Sequence, residues 1–205
     1  MTGRFITIEG AEGAGKSTLA RALADRLTAD GRRVLLTREP GDGPIGPAIR
    51  ATIMTDAPMD AWTEAFLFLA DRRQHCEQVI RPALAEGRWV LCDRFADSTL
   101  VYQGYARDLD RDALQRLNRI AAFGLKPDLT LLLDLDPETG LNRLDIKDRL
   151  DREPVEFHRR VREGFLREAS REPERWRIIN AAEPPEALLE AAWTALEELR
   201  VAARS

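Results

Sequence analysis

The stretch IEGAEGAGKSTLA, residues 8–20, constrains the fold more than any other part of the chain. It fits GxxxxGK[ST] from Gly10 to Ser17, through Ala11, Glu12, Gly13, Ala14, Gly15 and Lys16, with Thr18 directly after. Glycines allow consecutive amides to turn toward one concave point and leave no Cβ to keep an anion away. Upstream, RFITI reads as a strand; downstream, Leu19, Leu23 and Leu27 recur at helical spacing, which sets Ser17 in the first turn of a helix. The orphan amides and the dipole of that helix favour a phosphate at its N-terminus. A strand that feeds a phosphate loop and then a helix is a unit of α/β architecture.

The rest of the chain repeats that alternation. RFITIEG (4–10), RRVLLTREP (32–40), RWVLCDRF (88–95), DLTLLLDLD (128–136) and RWRIIN (175–180) read as strands. Several are too apolar to have one wet face, which suits a parallel sheet covered on both sides. Helical patterns intervene at about 16–30, 60–86, 110–123, 154–170 and 185–201. The predicted fold is a doubly wound sheet of five parallel strands with helices on both faces, formed by residues 1–205 as a single domain. A length of 205 residues with 44% hydrophobic content suffices for one sizeable core. In such folds ligands collect beyond the carboxyl ends of the strands. The segments there are the phosphate loop, TREPGDG, DRFADSTLVYQG and DPETGLNRLDIKDRLDRE, and three of the four carry arginines.

Charge narrows the class of partner. A net charge of −4 and a pI near 5.4 supply no basic footprint for nucleic acid. No apolar run approaches a membrane span, and the chain opens strand-like, without a basic region and an apolar signal core, so a cytoplasmic protein is expected. Cys76 falls in a predicted helix and Cys92 in an apolar strand, which fits a reducing compartment. His75 and His158 have no neighbouring ligand set, so no structural zinc is expected.

Phosphoryl transfer suits this distribution of residues. Its transition state spreads negative charge over the equatorial oxygens, and the protein supplies position and cations. Lys16 is expected to reach the β and γ phosphates of a nucleotide donor, and the Ser17 hydroxyl to ligate magnesium. Arg38 and Arg94 can grip an anionic acceptor bidentately. An acceptor that is itself a phosphate monoester, with a second pKa near ~6, is largely dianionic at neutral pH and needs no catalytic base.

Taken together, IEGAEGAGKST, TREPG, DRF followed by STLVYQG, FLFLADRRQH, KPDLTLLLD and EFHRRVREGF resemble the bacterial thymidylate kinase family over about residues 4–181. That resemblance implies a P-loop kinase fold and ATP- and magnesium-dependent phosphorylation of dTMP to dTDP, on the route to dTTP. It also implies a role for individual residues. Arg38 and Arg94 match the arginines that hold the dTMP phosphate, and Asp93 an acidic partner near metal and phosphates. Phe68 matches the aromatic that stacks on thymine, and Arg72 the arginine that reads an exocyclic oxygen of the base. Glu12 matches the carboxylate that meets the sugar 3′-hydroxyl. Ser98, Thr99 and Gln103 fall where the family lines the base pocket, and Tyr102 where it crowds the sugar 2′ position. The resemblance further implies a short mobile lid at about 142–153, with Arg149 and Arg152 the candidates for a catalytic arginine, and a homodimer that could use the helix around FLFLA. Asp42 stands where relatives commonly have glycine.

Two other readings stay open from the residues alone. One is a kinase for another nucleoside monophosphate or a deoxynucleoside. The other is a GTP-binding switch, for which NRLD at Asn142 to Asp145 gives a superficial guanine-reading match; it lies past the apolar run, in a helical stretch, and no DxxG follows the third strand.

Overall fold

The computed structural model describes residues 3–202. Five strands, β1 (Arg4–Gly10), β2 (Val34–Arg38), β3 (Trp89–Asp93), β4 (Leu129–Asp134) and β5 (Trp176–Asn180), form one parallel sheet in the order β2-β3-β1-β4-β5. The chain moves from β1 to one side of the sheet for β2 and β3, then to the other for β4 and β5. The carboxyl end of β1 therefore lies at the switch point where such folds open a crevice.

The helices are α1 (Lys16–Ala29), α2 (Gly46–Ile53), α3 (Ala61–His75), α4 (Arg81–Ala85), α5 (Ala96–Thr99), α6 (Arg111–Ala121), α7 (Pro137–Asn142), α8 (Val155–Arg171) and α9 (Pro185–Ala202). Alternate strand residues divide the core between the two faces of the sheet, as period-2 geometry requires. Ile6, Ile8, Leu91, Leu131 and Leu133 pack with Leu19, Leu23 and Leu27 of α1 and with α9. On the opposite face, Phe5, Val90 and Cys92 meet Cys76 and Ile80, while Leu132 meets Phe157, Val161 and Phe165 of α8. The central strand β1 is buried from its second residue onward, and the edge strands β2 and β5 are wet at alternate positions.

The strand and phosphate-loop expectations match the structure closely; the helical ones need four amendments, one of them α7, which falls in the segment read as the connection after the fourth strand. The pattern at 60–86 resolves into α3, a π-helical turn at Cys76–Ile80 and α4, with the Asp60 carboxylate capping the start by accepting from the amides of Trp62 and Thr63. The segment after β3, read only as a strand-end connection, is helical: α5 runs into a π-helical stretch, Leu100–Ala106. The wider π turn gives ADSTLVYQG no 3.6-residue apolar period to detect. Finally, α2 was not expected, because GPAIRATI is too short to display a period.

Candidate active site

Three loops meet above the carboxyl ends of β1, β2 and β3, and the strand register sets their spacing: Ile8 pairs with Asp93, and Arg38 with the same Asp93 from the other side. The cavity between them, about 240 Å³, is walled by residues of the phosphate loop, of the segments after β2 and β3, of α2 and α3, and of the stretch between α7 and α8.

In the phosphate loop, Gly13 has φ 68°, and a Cβ there would stand 2.0 Å from the Gly140 carbonyl oxygen, so only glycine fits against α7. Gly15, the residue before α1, has φ 90° with open space where a Cβ would be. Its glycine serves conformation, not clearance. Gly10, at φ 143°, closes β1, and Ala11 and Ala14 are buried beneath the loop. Lys16 lines the cavity, and its Nζ donates to the Ala11 carbonyl at 2.7 Å. Burial and then Arg94 push the Lys16 amine down to about 8, against the opposing pull of Asp93, Glu12 and Glu9. The Ser17 hydroxyl donates to Asp93 Oδ2 at 2.5 Å. Thr18, exposed in the first turn of α1, does not line the cavity.

Arg94 follows β3 in a left-handed conformation, φ 69°, which costs a non-glycine residue about 1 to 3 kcal/mol. Glu9, fully buried at the end of β1, braces it from behind: its carboxylate accepts from the Phe95 amide at 2.8 Å and from the Ser98 hydroxyl at 2.6 Å. Burial, then the proximity of Asp97, raises the Glu9 carboxyl to about 8. The Arg94 guanidinium donates to Glu12 Oε1 at 3.0 Å and to Ser98 Oγ at 3.3 Å and lies over the Tyr102 ring. Tyr102 Oη also donates to Glu12 Oε1, and His158 Nδ1 faces Glu12 Oε2 at 3.1 Å. Burial alone would raise the Glu12 carboxyl, but the His158 hydrogen bond, Arg94, Lys16 and Tyr102 together hold it well below the ordinary carboxylate range. Glu12 is an anion fixed at the junction of the phosphate loop and the arginine.

Arg38, more than half exposed, reaches the cavity from the end of β2 and pairs with Asp42 at 3.6 Å. The Asp42 carboxylate also accepts from the Thr37 hydroxyl at 2.9 Å and the Arg38 amide at 3.1 Å, so it braces the turn that carries Arg38. Phe68, Ser98, Thr99, Tyr102 and Gln103 all lie on the cavity wall. Phe68 belongs to none of the buried core clusters.

Besides Thr18 and the loop residues Gly10, Ala11, Ala14 and Gly15, three expected arginines are not on the wall. Arg72 lies behind it, 1% exposed, donating to Glu39 at 2.8 Å, Thr99 Oγ1 at 2.8 Å, Asn118 Oδ1 at 2.6 Å and the Phe95 carbonyl at 2.9 Å. A base oxygen would have to displace one of these partners, because a buried guanidinium keeps its donors occupied. Arg149 spans from the Ile53 carbonyl at 3.0 Å to Glu64 at 2.5 Å, and Arg152 pairs at the surface with Asp56 at 2.9 Å. Neither reaches the phosphate loop in this arrangement. Arg143, from the same segment, does: its NH1 donates to the Gly13 carbonyl at 3.4 Å and the Ala181 carbonyl at 3.3 Å. Of NRLD, Asn142 ends α7 and Arg143 holds the loop, so the match has no strand-end setting.

Arg50, Asp148 and Asp151 line the cavity without having been assigned to the site from the sequence. Arg50, on the unexpected α2, lines the cavity and donates to the Pro40 carbonyl at 3.0 Å. Burial, then Arg38, lowers its affinity for its proton, the signature of clustered cations. Asp148 and Asp151 line the opposite wall. The signal that could have found Arg50 is its position as the only cation in GPAIRATI.

A phosphate loop at the switch point of this sheet, opposed by arginines from the ends of β2 and β3, defines a P-loop phosphotransferase. Comparison with known proteins narrows the class. The family model described as thymidylate kinase matches residues 8–192. A thymidylate kinase of Solidesulfovibrio magneticus is 47% identical across 95% of this chain and 99% of its own length. One of Bacillus licheniformis is 46% identical across 97% of each. The crystal structure of thymidylate kinase from Ehrlichia chaffeensis superimposes with a TM-score of 0.81 at 31% identity, covering 96% of this chain and 99% of that one. The chain belongs to the thymidylate kinase family, a family of kinases whose known reaction is phosphorylation of dTMP.

Proposed function

We propose that this chain transfers the terminal phosphoryl group of ATP to the phosphate of dTMP, with magnesium, in the cytoplasm. The observation that carries the reading is the convergence of Lys16, Arg38 and Arg94 on one cavity whose wall includes the ring of Phe68. Lys16 and the amides of the phosphate loop, with residues Gly10 to Thr18, hold the donor phosphates; Arg38 and Arg94 hold the acceptor phosphate. Ser17 and Asp93 fit magnesium, since both offer hard oxygens on adjacent sites and that ion keeps most of its own waters. When bound there, it would neutralise charge on the donor phosphates. The acceptor phosphate is its own nucleophile, so the protein has only to align two anions that repel each other.

Phe68 stacks on the base, Ser98, Thr99 and Gln103 face its edge, and Arg72 fixes Thr99 from behind. Glu12 accepts from the sugar 3′-hydroxyl while Tyr102 fills the space beside C2′. The 142–153 segment acts as a lid over the donor; Arg143, Arg149 and Arg152 are its cations, and the last two would have to leave Glu64 and Asp56 to act. A homodimer is consistent with Phe66 of α3, 54% exposed and packed on Trp62 at 5.9 Å between ring centres. Among the described residues no helix is long and apolar enough to cross a membrane.

The test is a coupled assay with ATP and a panel of dTMP, dUMP, dCMP, dGMP and AMP. Turnover highest with dTMP supports the reading, and equal turnover with another acceptor rejects it.

A further inference from the structure

Among the described residues two buried side chains, His158 and Trp176, hold a polar atom without a partner, and His158 is the one that touches the cavity's residues. It is 1% exposed on α8, and while Nδ1 meets Glu12, Nε2 is buried with no hydrogen-bond partner among the described residues. A carboxylate held as an anion can only accept, so Nδ1 carries the hydrogen, and Nε2 is left with no group to bond. The ring lies in apolar surroundings: its neighbour Phe157 packs edge-on at 5.5 Å, and Phe157 and Val161 are core residues. A buried acceptor without a donor lowers stability, and an aliphatic side chain in its place would remove that cost. The imidazole is therefore out of place as packing and makes sense through its one bond.

That bond has a specific effect on Glu12. Arg94 and Tyr102 both donate to Oε1, whereas His158 is the only donor among the described residues to Oε2. Two donors on one oxygen restrain the carboxylate from one side only, and because its terminal torsion is broad and swings both oxygens together, Oε2 keeps some play. A donor on the second oxygen removes that freedom. We propose that His158 is a positioning residue that fixes the plane of the Glu12 carboxylate, so that Oε2 offers its remaining lone pair to a hydroxyl of the bound acceptor. The helix that carries His158 begins directly after the 143–154 segment, so the same bond ties that segment's far end to the phosphate loop.

The proposal rests on the reading that Glu12 meets the sugar 3′-hydroxyl, and the experiment separates the two. The ratio of kcat/KM for dTMP and for its 3′-deoxy analogue is measured in wild type, His158→Leu and His158→Asn, with melting temperatures. Asparagine can set its amide nitrogen where Nδ1 stands; leucine cannot. Wild type should prefer dTMP. His158→Leu should lose about tenfold of that preference, the scale of one hydrogen bond to a charged group, with its melting temperature showing that the variant is folded. His158→Asn should restore most of it. A preference unchanged in a folded His158→Leu overturns the positioning role. A wild type that treats both acceptors alike overturns the Glu12 reading and the proposal with it. Should the leucine variant fail to fold, His158→Gln, whose amide reaches the Nε2 position instead, is read by the same ratio.

Discussion

Arg72 and Arg94 both rest on buried carboxylates, Glu39 and Glu12, within one turn of a strand end, yet they are satisfied to different degrees. Arg72 is 1% exposed, and its donors go to Glu39, Thr99, Asn118 and the Phe95 carbonyl. Arg94 is 19% exposed, and among the described residues its guanidinium donates to Glu12 and Ser98 and lies over the Tyr102 ring, so part of its fork faces the cavity. Arg94 also occupies a strained backbone conformation that Glu9 must brace, while Arg72 has ordinary helical backbone in the last turn of α3. Strain and unspent donors mark the arginine poised for a ligand. A relaxed, saturated one marks a structural tie.

The sharpest test exchanges each for a side chain of similar length without charge. Arg94→Met should cut kcat/KM at least roughly a hundredfold, the cost of one lost transition-state donor, with little change in melting temperature. Arg72→Met should do the reverse. It leaves Glu39 buried with His75, at 3.0 Å, as its one ion-pair partner among the described residues, and breaking a buried pair costs about 3 to 5 kcal/mol of stability, readable in a denaturant titration. If Arg72→Met keeps its stability and loses only dTMP turnover, the contrast fails and Arg72 is itself a ligand residue.

Phe68 extends the contrast to the base end of the cavity. As a half-buried wall residue outside the core clusters, Phe68→Ala should lose about 1 to 3 kcal/mol of dTMP binding by calorimetry, with ATP binding almost unchanged. Equal losses for both ligands would assign Phe68 to the scaffold beside Arg72.

The two arginines also mark where the sequence was legible. DRF follows an apolar strand, so strand-end logic picks out Arg94 correctly as a cavity residue. Arg72 and Arg73 share a helix in one charged run; period alone does not reveal that α6 and α5 fold over Arg72 and bury it, while Arg73 reaches the exposed Phe123 ring. All five strands were readable because each centres on a short run of apolar and β-branched residues broken only by single polar ones. Arg50, Asp148 and His158 were not, because each reaches the site from a segment whose own pattern is short or charged, and only tertiary closure brings them in. Asp42 looked like a mere departure from glycine; its hydrogen bonds to Thr37 and to the Arg38 amide depend on a turn that no linear pattern encodes.

The smallest effect expected is on pH dependence, and it tells the arginines apart without reference to their rates. Lys16 is held down to about 8 from an ordinary 10.5, first by burial and next by Arg94, which lies in the same cavity. In the free enzyme its positive charge is lost as pH rises through about 8, so kcat/KM, which reports the free enzyme, should fall on the alkaline side with a limb near that value. Stability runs the other way. Between about 8 and 10.5 the unfolded chain keeps a proton on Lys16 that the folded chain has released, so this group alone makes the fold more stable as pH rises. Removing Arg94 relieves one of the two depressing influences, and the limb in Arg94→Met should move to higher pH even though the residual rate is low. Arg72, which is not among the main influences on Lys16, should leave the limb of its methionine variant close to that of the wild type. A limb that moves equally in both variants, followed by kcat/KM from pH 6 to 10, would mean that the two arginines act on one connected charge network and that their difference in saturation does not divide ligand from scaffold.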